Sequence, residues 1–347
     1  MVAVSDIGAT SVATQEKMIV AYDNRWISGG IGRFAQEVSC RLQNRGLRII
    51  GLNVRSRIAS ATSPWALAKR ISDCGANVFW SPGFMPPLSS SVPAILTIHD
   101  LIHRQYGGFA RRVYYDRAIR PLARRVAGIM TVSQRSRADI EAWIGPHHPP
   151  IRVIGSGVSG AFVHHGDKLR LEAPYLLYCG NHRVHKNLPR MLEAFARITA
   201  RERLLLAMTG SPDESVNALA RKFGVSGRLH WLGPLSEPEL AEVYRGATAV
   251  LMVSLAEGFG LPVVEAMACG TPVVCSSTTS LGEIAGDAAC LVDPTSVGHI
   301  TAGIDQVIQN DALRARLRAR GFARAAEFTW NKVADHVLAV LLEAARK

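Results

Sequence analysis

Glu257-Gly258-Phe259-Gly260-Leu261-Pro262-Val263-Val264-Glu265-Ala266-Met267-Ala268-Cys269-Gly270-Thr271-Pro272 follows directly on the β-branched run Val250–Val253. The glycines predict a turn after that strand. Pro262 suits the first turn of a helix, where its fixed φ is pre-organised and its missing N–H goes unneeded. Gly270 then ends the helix before a second strand, Pro272–Cys275. Strand, glycine turn, helix and strand make a βαβ unit, and such units build parallel sheets with helices on both faces. Ligands of these sheets bind outside the carboxyl ends of the strands. The spacing predicts Glu265 in the first helical turn and Glu257 in the loop ahead, both facing that edge. A carboxylate accepts hydrogen bonds from both hydroxyls of a diol, which suits a sugar or a ribose. Glu265 alone also fits a helix-dipole role; Glu257, in a glycine-flanked loop, does not.

The same alternation extends in both directions. Strands are predicted near Met18–Tyr22, Arg48–Val54, Val78–Trp80, Ala94–Ile98, Ile129–Val132 and Ile151–Ile154. A second series follows at Tyr175–Cys179, Leu204–Thr209, Leu229–Trp231, Val250–Val253, Pro272–Cys275 and Ala289–Val292. Helical periodicity lies between them, including Ile31–Asn44, Phe109–Arg125, Leu188–Thr199 and Ser296–Ile308. The fold class is therefore α/β, with two Rossmann-like, doubly wound parallel sheets. The polar stretch Ser159–Ala173 separates two expected domains, residues 1–168 and 169–347. A last helix, Trp330–Ala345, follows a helix dense in arginine (Arg314, Arg316, Arg318, Arg320) and is free to pack back on the first domain.

A chain of 347 residues with 48% hydrophobic and 20% charged residues has the makings of a substantial core. Met1–Lys17 is polar and aperiodic and reads as a loose leader rather than a signal peptide. No apolar run approaches the roughly 20 residues of a membrane span. The six cysteines form no C-x-x-C pair and mostly fall in apolar segments, which fits reduced thiols in the cytoplasm. The net charge of +12 is one-sided: residues 1–170 carry 22 Lys and Arg against 10 Asp and Glu, and residues 171–347 carry 18 against 18. An anionic partner is expected for the first half.

Two further loops join a strand to a helix. Gly29-Gly30-Ile31-Gly32 follows the first strand, and Gly30 and Gly32 let backbone N–H groups approach an anion at a helix N-terminus. Gly30 to Ala35 fits the loose dinucleotide pattern G-x-G-x-x-A, yet the next strand leads into Asn53-Val54-Arg55-Ser56-Arg57 with no acid for a ribose. In Gly180-Asn181-His182-Arg183-Val184-His185-Lys186-Asn187, Lys186 lies just before a helix, so its ammonium and the helix end can meet one diphosphate. The histidines there have no carboxylate or thiol beside them, which argues against a metal. No D-x-D element occurs, and no metal or cofactor is expected.

These ordered elements resemble the retaining, GT-B-fold glycosyltransferases of family 4, the glycosyl transferases group 1. Glu257 and Glu265 match its E-x7-E motif, Gly29 to Arg33 its N-terminal glycine loop, and Thr97-Ile98-His99-Asp100-Leu101 its "HDL" element. Thr131-Val132-Ser133, with Ser136 and Asp139, resembles the segment after its last N-domain helices. Gly180 to Asn187 resembles its donor-phosphate loop, and Ser280-Leu281-Gly282-Glu283 with Gly286-Asp287 its late C-domain segment. The resemblance implies two domains facing a cleft, an N-terminal one for the acceptor and a C-terminal one for a nucleotide sugar. It implies that Glu257, with the backbone of Phe259, Gly260 and Leu261, contacts the transferred sugar, that Glu265 holds the ribose, and that His99 lines the sugar site. Lys186 would bind the diphosphate. Many members place an arginine just before that lysine; here His185 stands there, so Arg183 is the expected second cation. Transfer of a hexose with retention is implied, mannose from GDP-mannose first and a UDP-sugar second, with a saccharide or lipid-linked saccharide as acceptor.

The stretch Phe109–Arg125 combines Phe109, Val113, Tyr114 and Ile119 with Arg111, Arg112, Arg117 and Arg120. Read as one basic amphipathic element, it suits an anionic membrane surface or a lipid diphosphate. A solvated helix with an apolar core face is the other reading. The expected location is the cytoplasm, with peripheral association at the inner face of the cell membrane. A Rossmann oxidoreductase would explain the first glycine turn but not Glu257, Glu265 or Lys186. A nucleic-acid-binding protein would explain the basic half, but the chain lacks aromatic-interleaved basic stretches, so no nucleic-acid partner is expected.

Overall fold

A computed structural model describes residues 18–27, 29–199 and 204–346; the leader reading of Met1–Lys17 lies outside them. The chain divides into two compact units. One runs to Ser156 and also takes Trp330–Lys347; the other is Gly157–Thr329.

In the first unit β1 (Ile19–Tyr22) leads to α1 (Gly29–Asn44), β2 (Arg48–Gly51), α2 (Ser63–Ser72), β3 (Val78–Ser81) and β4 (Ala94–Thr97). Short helices α3 (Ile102–Tyr106) and α4 (Gly108–Tyr114) follow, then a π-helical turn (Tyr115–Ile119) and α5 (Arg120–Ala123). The unit continues with β5 (Gly128–Thr131), α6 (Gln134–Ile144) and β6 (Ile151–Val153). The strands form one parallel sheet in the order β2-β1-β3-β4-β5-β6. Strands β3, β4 and β5 are buried along their whole length, as unbroken apolar runs covered on both faces should be.

The second unit contains β7 (Tyr175–Tyr178), α7 (Leu188–Arg197), β8 (Leu205–Met208), α8 (Glu214–Lys222), β9 (Leu229–Trp231) and α9 (Glu237–Gly246). Then come β10 (Ala249–Met252), α10 (Leu261–Ala268), β11 (Val273–Ser276), α11 (Ser280–Ala285) and β12 (Cys290–Val292). Helices α12 (Val297–Gln309) and α13 (Asp311–Ala325) complete it, and α14 (Trp330–Ala345) returns to the first unit. Its sheet is parallel, in the order β12-β11-β10-β7-β8-β9.

Two details differ from the sequence reading, the place of the division and the form of Phe109–Arg125. The division falls after Ser156, not after residue 168, because residues 157–169 are pinned to the second unit. Val158 bridges Thr329, Phe162 meets Tyr244 edge-on at 5.7 Å, Arg245 donates to the carbonyls of Asp167 and Val163, and Leu169 N–H donates to Glu242 O. The polar composition that reads as a linker is a strap. Helix α14 joins the first unit through Trp330, Val333, Val337, Leu341 and Ala344, a helical stripe buried with Phe34, Val38 and Leu42 of α1.

The stretch Phe109–Arg125 is not one helix. Pro121 lacks the N–H that would continue an α-ladder, and the Arg120 N–H reaches back to the Tyr115 carbonyl, closing a π-turn. Tyr115, Ile119 and Ala123 face the core, while Phe109 is 82% exposed and Val113 40%. The arginines of α13 are also explained. Arg314 donates to the carbonyls of Val307 and Ile308, Arg318 to that of Gly270, and Arg324 to those of Glu283 and Ile284. They cover the carbonyl-rich ends of α12, α10 and α11, where cations are favoured.

Candidate active site

In the second sheet β7 and β10 are parallel neighbours, yet the chain leaves them in opposite directions, toward β8 and toward β11. Loops that diverge at such a switch point open a crevice above the strands' carboxyl ends. The β7 loop carries residues 179–187 and the β10 loop residues 253–260, so topology brings together the two stretches singled out from sequence. Lys186 Nζ lies 2.6 Å from Glu257 Oε1, and both side chains are only 10% exposed. Ser254 Oγ donates to the same oxygen at 2.7 Å, and Ser280 Oγ donates to the Glu257 carbonyl at 2.8 Å.

The lysine is held by its backbone. Residues Val184–Lys186 form a 3-10 turn, and Asn187 takes a left-handed conformation, φ 61°, before α7 begins. Asn187 is buried and makes no capping bond; its Nδ2 donates to the carbonyls of Val253 and Pro294 at 2.9 and 2.7 Å. Leu255 N–H donates to His185 O at 2.7 Å. The phosphate-type loop is thus stitched to the loop after β10. Arg183 is exposed ahead of the 3-10 turn, whereas His185 is buried. A cation not singled out from sequence, Arg190, donates to Asn187 Oδ1 at 3.0 Å.

Gly260 precedes α10 at φ 98°, and a Cβ there would lie 2.2 Å from Leu281 Cδ2. Both conformation and space require glycine. Phe259 is buried against Phe328, with ring centroids 5.4 Å apart, and Leu261 opens the helix. Because α10 starts at Leu261, Glu265 sits in its second turn, not the first. Its carboxylate is buried rather than spread on the surface, and Tyr244 Oη donates to Oε2 at 3.0 Å. Close to it lies Cys179, and burial pushes its thiol up to about 11. That thiol is inert at neutral pH.

In the first unit α1 begins at Gly29, so Gly30 and Gly32 occupy its first turn rather than a loop before it. A Cβ on Gly32 would lie 2.5 Å from the Ile27 carbonyl carbon; at Gly30 the space is open. The incoming segment is fixed by Asp23, fully buried, which pairs with Arg25 through two 2.7 Å bonds, while Arg25 also reaches Ser56 and Ser63. His99, after β4, hydrogen-bonds through Nε2 with Pro82 O at 2.9 Å and meets Phe34 edge-on at 4.9 Å. Burial is the main influence on His99 and pulls its pKa below the ordinary histidine value. The ring is neutral at pH 7. Arg111, Arg112 and Arg117 are exposed and Arg120 is partly covered. Arg104 instead pairs with Asp116 at 2.7 Å, which holds that carboxyl below its usual range.

The chain matches the family described as "Glycosyl transferases group 1" over residues 163–324, and the "Glycosyl transferase 4-like domain" over residues 34–157. It is 30% identical over 285 residues to the O-antigen chain mannosyltransferase B of Escherichia coli, covering 77% of this chain and 73% of that protein. Sucrose-phosphate synthase from Thermosynechococcus elongatus shares the fold at a TM-score of 0.79 and 17% identity, over 94% of this chain and 99% of that one. WaaG, a glycosyltransferase involved in lipopolysaccharide biosynthesis, does so at 0.76 and 16%, over 93% and 99%. Two parallel six-stranded sheets in this arrangement of elements are the GT-B fold. The chain belongs to the glycosyl transferases group 1 family and is a GT-B-fold glycosyltransferase.

Proposed function

We propose that this glycosyltransferase moves a mannosyl unit from GDP-mannose to a saccharide or lipid-linked saccharide acceptor in polysaccharide assembly, retaining the anomeric configuration without a metal. The observation that carries the reading is the Lys186–Glu257 pair at the switch point, with Glu265 buried behind it. As the anomeric C–O bond breaks, a diphosphate departs and its charge must be met. Lys186, with Arg183 as second cation, and backbone amides at helix starts supply fixed positive charge for that purpose. Glu257 and the 259–261 backbone hold the transferred sugar and Glu265 the ribose; in the first unit, the neutral His99 ring is assigned to sugar and the amides at Gly30 and Gly32 to an anion. The acceptor hydroxyl attacks from the face the leaving group vacates, and its proton passes to a donor phosphate oxygen. The mannose assignment draws on the O-antigen mannosyltransferase likeness; a UDP-sugar donor is the second reading.

The test is a thermal-shift panel of nucleotide sugars. A ligand present at a hundred times its Kd stabilises by about 2.7 kcal/mol, several degrees in Tm. GDP-mannose is expected to stand out. If NAD shifted the transition and no nucleotide sugar did, the oxidoreductase reading would replace this one.

The acceptor is assigned to the basic first unit, at an anionic membrane face. Tyr106, Phe109 and Val113 are 40%, 82% and 40% exposed, beside Arg111, Arg112 and Arg117, with Arg120 at the far side of the π-turn. Exposed apolar side chains ringed by arginine favour an anionic lipid surface. Among the described residues no helix is long and apolar enough to cross a membrane; the mode assigned, on the exposed arginines and apolar side chains, is surface association at the inner face. The protein should sediment with anionic vesicles and not neutral ones, less so as salt rises; equal sedimentation with both would contradict the assignment.

A further inference from the structure

The hydroxyl of Tyr244 is spent on a single carboxylate oxygen, and its position in the fold gives that contact a purpose. Tyr244 lies in the last turn of α9, fully buried. Its own carbonyl accepts Thr271 Oγ1 at 2.6 Å, which ties it to the end of α10, and its ring packs edge-on against Phe162. Its Oη donates to Glu265 Oε2 at 3.0 Å. Tyr244 therefore ties the end of α9 to the end of α10 through its carbonyl and to the acid on that helix through its hydroxyl.

Packing alone does not require a hydroxyl here. A phenylalanine would fill the same volume, and a buried phenol beside a carboxylate is costly unless its hydroxyl has a partner. Hydrogen-bonding one carboxylate oxygen fixes the torsion and plane of the group, and so the direction in which the carboxylate can accept from a diol. We infer that Tyr244 is a positioning residue for donor binding: it orients Glu265 toward the vicinal hydroxyls of the nucleotide ribose and is not itself in contact with substrate. This rests on the assignment of Glu265 to the ribose.

The test separates the two. Guanosine diphosphate and uridine diphosphate, each with its 2′,3′-dideoxy counterpart, are titrated calorimetrically into wild type, Tyr244→Phe and Glu265→Gln, and the tighter-binding base carries the comparison. In wild type the dideoxy compound binds more weakly. Tyr244→Phe is expected to weaken the ribose compound on the order of tenfold and leave the dideoxy compound nearly unaffected. In turnover, the donor KM rises more than kcat falls. A merely structural role for Tyr244 would weaken both compounds equally and overturn the inference, as would unaltered binding of the ribose compound. If Glu265→Gln failed to narrow the ribose–dideoxy difference, or neither diphosphate bound wild type, the ribose assignment itself would fall. Thermal unfolding of Tyr244→Phe, measured alongside, reports any loss of packing.

Discussion

Lys186→Ala is expected to lower sugar transfer by about a thousandfold, on the order of 4 kcal/mol of transition-state stabilisation. The side chain is 10% exposed and its ammonium stands where topology converges two loops. A cation fixed in such a place needs no reorganisation when charge develops on a leaving diphosphate. The substitution also strands Glu257, leaving it with the Ser254 hydroxyl. Removing one member of a buried pair costs about 3–5 kcal/mol of stability when the site is dry, and a rim position takes the lower end or less. The double variant Lys186→Ala/Glu257→Gln removes that unpaired charge. Its Tm should recover most of the loss while transfer stays at the low level of the single variant. Transfer by Lys186→Ala that matched wild type once scaled to its folded fraction would show that Lys186 matters only for folding. With the nucleotide-sugar panel, Lys186→Ala should abolish the shift seen with wild type.

Glu257→Gln is expected to move binding and turnover in opposite directions. Without donor, Glu257 holds Lys186 at 2.6 Å, so a diphosphate must compete with a carboxylate for the ammonium. Glutamine removes the competitor, and a nucleoside diphosphate lacking the sugar should bind about five- to tenfold tighter, roughly 1 kcal/mol. Transfer should fall by at least about a hundredfold, because the carboxylate assigned to the sugar hydroxyls is gone. Binding by calorimetry and turnover with the intact donor read the two effects separately. Weaker diphosphate binding in this variant would mean that the ion pair does not compete with the donor. On the proposed assignment, the pair keeps two opposite charges satisfied until a donor takes the place of each partner.

The division into units sharpens the meaning of the charge. With Trp330–Lys347 counted in the first unit, that unit carries 23 Lys and Arg against 11 Asp and Glu, and the second is balanced at 17 each. The arginine-dense α13 belongs to the balanced unit, where Arg314, Arg318 and Arg324 are held by helix-end carbonyls. The excess in the first unit includes Arg111, Arg112 and Arg117, which are exposed beside exposed apolar side chains.

The sequence by itself determined the α/β class, the two series of strands and the bounds of the last helix, Trp330–Ala345. It also singled out Lys186, Glu257 and Glu265. All of these rest on short-range signals: apolar period, glycine turns and proline at a helix start, each legible within a dozen or so residues. Tertiary structure alone decided that Lys186 and Glu257, 71 residues apart in sequence, form one ion pair. It decided that Tyr244 holds Glu265, that Asn187 ties its loop to Val253 and Pro294, and that Phe109 and Tyr115 face opposite ways across a π-turn. It also bound residues 157–169 to the second unit and α14 to the first. The physical reason is common to them: a tyrosine, an asparagine or a serine in sequence shows only which bonds it is able to make. Which bond it makes depends on the register of strands brought together by burial of their neighbours, and that information is spread over the whole sheet.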